Sequence, residues 1–488
     1  MENTSDNYNT ALLTPSTTNG HHVTSAETSN AVPLQFNGVV PSLSQIADLG
    51  PPRSECGIGG LMPWNGKLYV LNYVSHRARS GSGTGLRVID ENFQMTRLSE
   101  GVDGTYANRM VHFESNRLVI GPHVIDAEHH IRTVPELIDI RLAGSARHLF
   151  NPANWVYMLG MEGELFELNV HTLEVNHLFD LTKELDTPGE MSCHFKDCYT
   201  AFGRLVVANN DYEEGDFKGE RAEGTLAEYD GEKWTVLERK PFVCIHGRGD
   251  FADTIFALGW DRSSAILKVF TSSDEKWTTY RLPKSSHCFD HKWQTEWPRI
   301  REVEHERFLM DCHGMFYELS PWAYGGKIWG VRPISTHLWV HGDFCSWRGM
   351  LVLGADNASP SGNDNVLCAE PQSGLWFGKT DDLWKLGVPA GWGGPWWKTG
   401  VKKDEPSDPY LMTGFKNKSL HLFHEADEAV VFTIEVDPLG DGSWQVYEVV
   451  EVAAQKYFHH EFPTGFSAHW LRITANSDCV ATAHLHYT

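Results

Sequence analysis

The stretch TIFALGWDRSSAILKVFTSSDEKWTTYRL, Thr254 to Leu282, decides the fold. The apolar run TIFALGW stops at Asp261-Arg262-Ser263-Ser264, resumes as AILKVF, stops again at Ser272-Ser273-Asp274, and resumes as KWTTYRL. Each run is too short for a helix, is rich in β-branched and aromatic residues, and is bounded by turn formers. This predicts three consecutive antiparallel strands. Working outward, the same form recurs as GKLYVLNYV from Gly66, NRLVIGPHVID from Asn116, WVYMLGMEGELFELNV from Trp155, GRLVVANND from Gly203, ERFLMDCHGMFYEL from Glu306 and RGMLVLGADN from Arg348. The units start roughly 40–50 residues apart, the length of a four-stranded propeller blade. The fold class read from this pattern is all-β: a seven-bladed β-propeller with an additional C-terminal β segment. Short strands alone do not separate it from an array of β-sandwiches.

Beyond about Ser407 the strands lengthen and alternate strictly, as in LHLFHEADEAVVFTIEVD. The chain therefore reads as a leader over 1–35, a propeller carrying the activity over 36–405, and a β segment over 406–488 that completes the ring or packs on it. The leader is rich in Ser, Thr and Asn, has no apolar core and cannot offset its ordering entropy, so it is read as disordered. It also lacks the apolar region of a signal peptide, and the place where the protein works is left open.

The 488 residues are 41% hydrophobic and carry a formal charge of −23. So acidic a chain is a poor partner for nucleic acid or an anionic membrane, and no apolar run is long enough to span a bilayer. A monomer is expected. The nine cysteines follow no framework spacing and read mostly as buried thiols. In such a background, clustered Arg and His mark places where an anionic ligand could be held. Candidates at the ends of successive strands are Arg109 and His112 in NRMVH, His123 in GPH, His194, Lys196 and Tyr199 in CHFKDCYT, Arg204, and Arg221 in GER. Arg, His and Tyr together suit β-elimination on a uronic acid. A guanidinium offsets the carboxylate charge so that the C5 proton can leave, and an imidazole or phenol moves protons. A glycosidase would instead require two carboxyl groups, and no such pair stands out.

The segments YANRMVHFESNRLVIGP, RHLFNPANWVYMLGMEGELFELNV, TEWPRIRE, HGMFYEL and GDFCSWRGMLVLGADNAS occur in this order. Together they resemble the β-propeller polysaccharide lyase group that contains the L-rhamnose-α-1,4-D-glucuronate lyases of the fungal gum-arabic type. That group also includes rhamnosidase-type relatives and ulvan lyases. The resemblance runs from about Pro52 to the C-terminus. It implies release of terminal L-rhamnose from α-1,4-linked D-glucuronate by β-elimination, leaving an unsaturated uronate. The implied partner is an acidic oligosaccharide or polysaccharide side chain ending in rhamnosyl-glucuronate. Two other readings stay open: a hydrolase of the same linkage, and a non-catalytic propeller that binds acidic glycans.

By the same resemblance, His112 and His123 match the two catalytic imidazoles, Tyr199 the phenol and Arg221 the arginine on the carboxylate. Arg109 or Arg204 are alternatives to Arg221, and Arg109, His194, Lys196 and Arg204 are expected to bind substrate. The hydrolase-classed relatives tend to have Tyr where this chain has His123, which favours a lyase. No cofactor is required for the chemistry. Ulvan lyases of this group hold a structural zinc through His and Cys, and His291, His313 and Cys345 are the candidate ligands here, N and S donors suiting Zn²⁺.

Overall fold

The structure is a computed structural model that describes residues 56–74, 86–100, 108–187, 193–210, 224–286, 297–323, 327–328, 330–338, 340–356 and 375–488. Strands dominate it. Consecutive strands pair antiparallel with their neighbours in sequence, giving the meander of a propeller blade. Sheet 1 starts with Cys56–Trp64 and sheet 2 contains Arg109–His112, Arg117–Ile120, His123–Ile125 and Ile131–Thr133. Sheet 3 runs from Leu142–Arg147 to Val175–Asp180. Sheet 4 contains Phe195–Ala201, Arg204–Asn209, Thr225–Tyr229 and Trp234–Glu238. Sheet 5 contains Phe242–Gly247, Thr254–Trp260, Ala265–Thr271 and Lys276–Leu282. Sheet 6 starts with Arg299–Glu304 and the three-stranded sheet 7 with Val340–Trp347.

The middle strands of sheet 5, Thr254–Trp260 and Ala265–Thr271, are buried at every position. Both their faces are covered, which is why TIFALGW and AILKVF are continuous apolar runs and do not alternate. The edge strand Met95–Arg97 is exposed throughout.

Two compact units result. One comprises the described residues within 56–180, 302–304 and 340–385, and the other those within 181–301, 305–338 and 386–488. In the first, the opening strand of sheet 1 packs against the opening strands of sheets 7 and 2, and that of sheet 2 against that of sheet 3. In the second, the opening strands of sheets 4 and 5 pack together. Because strands alternate in direction, the starts of first and third strands share one edge of a sheet with the ends of second and fourth strands. This edge is termed leading, and the opposite one trailing.

The C-terminal segment forms two further four-stranded arrays. One has the order Gly391–Val401, Cys479–Tyr487, Lys418–His424, Tyr457–Glu461. The other has the order Tyr410–Leu411, Trp470–Ala475, Val430–Asp437, Gln445–Val452, and a parallel pairing of Arg281 with Tyr410 joins it to sheet 5. Strict alternation turns Leu420, Leu422, Phe432, Ile434, Ile473 and Leu485 into a common core. The segment starts at Gly391, ahead of residue 406, because GWGGPWW is a strand and not a loop. At Gly394 a Cβ would lie 1.9 Å from the Ala483 carbonyl oxygen, so glycine is what lets the two backbones meet. Cys198, Cys244, Cys312 and Cys479 are free thiols, and among the described residues no helix is long and apolar enough to cross a membrane.

Candidate functional site

His123 opens the third strand of sheet 2, on the leading edge, and is fully buried. Its Nδ1 is 3.0 Å from Thr133 Oγ1, while Nε2 has no hydrogen-bond partner among the described residues. Burial pushes the imidazole down to about 4, against a small opposing pull from Glu100, so the ring is neutral near pH 7. Gly121 makes this corner possible: its φ is +55°, and a Cβ there would lie 3.1 Å from Leu71 Cδ2 and 3.7 Å from the His123 ring. Asn108, 1% exposed, sits beside it on the same edge. Its Nδ2 donates to the Gly121 carbonyl at 3.1 Å, and its Oδ1 is unpartnered among the described residues.

Arg109 follows Asn108, but its guanidinium is committed to Asp343 in the same unit. Nε donates to Oδ2 at 2.9 Å and Nη2 to Oδ1 at 3.3 Å, and Asp343 also accepts the Leu61 amide at 2.8 Å. The pair ties sheet 2 to sheets 1 and 7.

His112 closes the first strand of sheet 2, on the trailing edge, opposite Arg117, whereas His123 pairs with Ile120 at the other end. Three residue rises along the strand and two interstrand spacings put them about 14 Å apart. The two imidazoles of NRMVHFESNRLVIGPH therefore do not flank one substrate atom. His112 is fully buried with both nitrogens occupied: Nε2 lies 2.6 Å from the Pro152 carbonyl and Nδ1 2.7 Å from Ser115 Oγ. Burial lowers its pKa, opposed by the Pro152 carbonyl and Glu114. This histidine fastens sheet 2 to the turn inside sheet 3.

Sheet 4 is divided in the same way. His194 and Lys196 lie at the leading edge with Asn209 and Asn210. Asn209 Oδ1 accepts the His194 amide at 3.1 Å. Asn210 is fully buried, and neither atom of its carboxamide has a partner among the described residues. Arg221 lies outside the described residues, although its described flanks, Asn210 and Gly224, are both at this edge. Tyr199 sits three residues beyond Lys196 on the same strand, toward the trailing edge, where its hydroxyl accepts the Gly249 amide at 3.1 Å. Arg204, also trailing, donates to Glu228 at 2.9 Å and lies 3.9 Å over the Phe270 ring. Both of its contacts hold neighbouring strands together.

Of the three metal candidates, His291 lies outside the described residues. His313 is buried in a turn of the second unit with its ring edge against Trp260. Cys345 is packed in the apolar core of the first unit with Ile58, Leu61 and Val352. In the second unit His337 Nε2 meets Asp311 Oδ1 at 3.0 Å, a pairing of the kind that orients a ring for ligation or proton transfer.

Comparison with protein-family models gave no match, and neither did comparison with curated proteins. Solved structures that resemble the chain include the RRP9 WD40 repeats, with 11% identity over 70% of this chain and 99% of that one and a TM-score of 0.43. The Dos1 propeller has 9% identity over 65% and 81%, with a TM-score of 0.40. A luciferin-regenerating enzyme has 10% identity over 70% and 94%, with a TM-score of 0.35.

At the leading edge of each of sheets 2 and 4, taken separately, buried polar groups retain hydrogen-bonding capacity. Among the described residues the Asn108 amide oxygen and the Asn210 carboxamide have no partner, and sheet 2 adds a neutral imidazole whose buried Nε2 has none either. An unmet buried polar atom costs about 1–3 kcal/mol, and the trailing edge of sheet 4 carries such atoms as well, at Thr200 and Arg204. Sequence reading singled out His123, His194 and Lys196 but missed Asn108, Asn210 and Asp343. Their only signal was position, at the strand ends in ANRMVH and VVANND and near the start of VHGDFC.

Proposed function

We propose that the chain is a polysaccharide lyase that removes terminal L-rhamnose from O4 of a D-glucuronate by β-elimination. The observation that carries this is His123, a buried neutral imidazole at a leading edge whose Nε2 has no hydrogen-bond partner among the described residues. The sequence resemblance supplies the substrate class. In this reaction a base takes the C5 proton, the C5 electron pair forms the C4=C5 double bond, and the C4–O4 bond breaks. The rhamnose oxygen leaves and takes a proton. His123 is assigned as the base. A ring depressed to about 4 is a weak base by itself, but the negative charge of a bound uronate raises it toward the working range. Arg221 is assigned to the carboxylate, as the resemblance implies. Arg109 and Arg204 are assigned to structure, because Asp343 and Glu228 already hold them, and so is His112.

The test is to incubate the protein with a rhamnosyl-glucuronate oligosaccharide and follow both free rhamnose and ultraviolet absorbance. A lyase produces both in equal amounts. Rhamnose without absorbance would identify a hydrolase, and binding with neither product would identify a glycan-binding propeller.

A further inference from the structure

We propose that a cavity of about 140 Å³ in the second unit binds one carboxylate-bearing pyranose, a uronosyl unit of an acidic glycan. Trp470 and Arg472 share one face of the strand Trp470–Ala475, and register sets Asp437 opposite Trp470 and Glu435 opposite Arg472. The chain turns after Asp437, whose carboxylate holds the turn. Its Oδ1 accepts the Leu439 and Gly440 amides at 3.2 and 2.9 Å, and its Oδ2 accepts the Gly442 amide at 2.7 Å. Trp444 then returns to meet Arg472, whose guanidinium carbon lies 4.2 Å from the ring centroid. Beneath them Tyr280 and Trp470 are buried and pin the neighbour of Lys327. Trp470 Nε1 donates to the Ile328 carbonyl at 3.0 Å, and the Ile328 amide donates to the Tyr280 hydroxyl at 3.4 Å. Lys327 is thereby held at the rim, exposed, with its stem along Gly442, where a Cβ would lie 3.1 Å from Lys327 Cε. Tyr280, Lys327, Asp437, Trp444, Trp470 and Arg472 all line the cavity.

The lining selects the ligand. Arg472 spends Nε and Nη2 on Glu435 at 2.8 and 3.0 Å, while Nη1 has no hydrogen-bond partner among the described residues. Lys327 makes no hydrogen bond or ion pair among the described residues. In a chain of net charge −23, two cations with donors to spare at one cavity favour an oxygen-rich anion. Glu435 and Asp437 limit how much negative charge the site accepts. A dianion such as phosphate would be repelled, whereas a single carboxylate balances Lys327. The faces of Trp444, Trp470 and Tyr280 call for a ring with apolar C–H surface, as a pyranose has, in the usual pocket pattern of aromatic walls with a few polar groups. The volume is close to the roughly 150 Å³ of a cavity that takes up benzene, so it suits one six-membered ring. The choice of a uronate among cyclic acids rests on the functional reading above. The cavity shares no residue with the site assigned to the lyase reaction.

The experiment is a ligand-observed NMR titration of methyl β-D-glucuronide against the full chain at neutral pH, with methyl β-D-glucoside as the control. It is repeated on Lys327→Met and Trp444→Ala, whose fold is verified by circular dichroism, and on Arg221→Lys, which weakens the carboxylate contact assigned to the lyase site. Rhamnose release from a rhamnosyl-glucuronate oligosaccharide is measured alongside. The wild type and Arg221→Lys should both bind the glucuronide more tightly than the glucoside, and Lys327→Met and Trp444→Ala should each lose about tenfold or more in glucuronide affinity. Rhamnose release should be unchanged in these two variants. Equal affinity of the wild type for both glycosides, or undiminished glucuronide affinity in folded Lys327→Met, would overturn the inference. If no protein releases rhamnose while Lys327→Met and Trp444→Ala still lose glucuronide binding, the lyase reading fails and the cavity site stands.

Discussion

Replacing His123 by Asn tests the environment on which the functional reading rests. The substitution keeps a polar partner for Thr133 and removes the titratable ring. In the folded chain the imidazole is held at about 4, mainly by burial, against 6.5 when unfolded. Between these values the unfolded chain binds more protons than the native one, so stability falls as pH falls. The contribution is fully present above pH 6.5 and is lost progressively down to about pH 4. A depression of this size corresponds to about 3 kcal/mol, at 1.36 kcal/mol per pKa unit. His469 and His484, held at about 4 and 3 respectively, lose stability over an overlapping range in the other unit. A local probe is therefore needed. Hydrogen exchange of the amides in Arg117–Ile120 and His123–Ile125, followed from pH 7.5 to 4 with correction for intrinsic rates, reports sheet 2 directly. The wild type should lose about 2–3 kcal/mol of protection across this range, and His123→Asn should lose far less. If the variant retains the full acid loss, His123 is not the buried neutral ring described here, and its assignment as the base falls with it.

Three further outcomes are expected. Asp343→Asn removes the charge facing Arg109 and should cost about 2–4 kcal/mol in urea unfolding, a loss that Arg109→Met in the same chain should partly restore because the unpaired cation is then gone. Tyr199→Phe should lower stability by about 1 kcal/mol and change turnover less than threefold, since the hydroxyl serves Gly249 at the trailing edge; a hundredfold loss of turnover would return Tyr199 to the chemistry. Arg221→Lys should fold normally yet lose most lyase activity, because an ammonium cannot form the two-pronged contact with a carboxylate; activity above a tenth of wild type would show that the carboxylate is held elsewhere.

The strand pattern was legible in the sequence because a strand buried on both faces needs an unbroken apolar run and a tight turn needs Gly, Asn or Asp. AILKVF and TIFALGW satisfy the first condition, and the NG, EG and DG steps mark turns. The site was less legible. His112 and His123 both close a strand-like run, but strands in a meander alternate in direction, so residues that look alike in the sequence lie at opposite edges. Arg109 reads as a free cation until Asp343, 234 residues away, is seen to neutralise it. Asn108 and Asn210 matter because they are buried with the amide oxygen of the first and the whole carboxamide of the second unmet among the described residues, a property of packing that composition does not record. GWGGPWW poses a related difficulty. Its glycines suit a loop, and only the approach of the Ala483 backbone shows them serving a strand.

The pairing of Gly391–Val401 with Cys479–Tyr487 also bears on the order in which the protein folds. In sheets 1 to 5, strands pair with their immediate neighbours in the chain, so each meander can form by closing short loops. The C-terminal sheet instead pairs Gly391–Val401 and Lys418–His424 with Cys479–Tyr487, far along the chain from both. Loop-closure entropy has to be met before those contacts return anything, which slows pairing of this kind. Refolding should therefore show an early phase in which the meanders form. A later phase should follow, in which Trp392, Trp396 and Trp397 acquire their native surroundings.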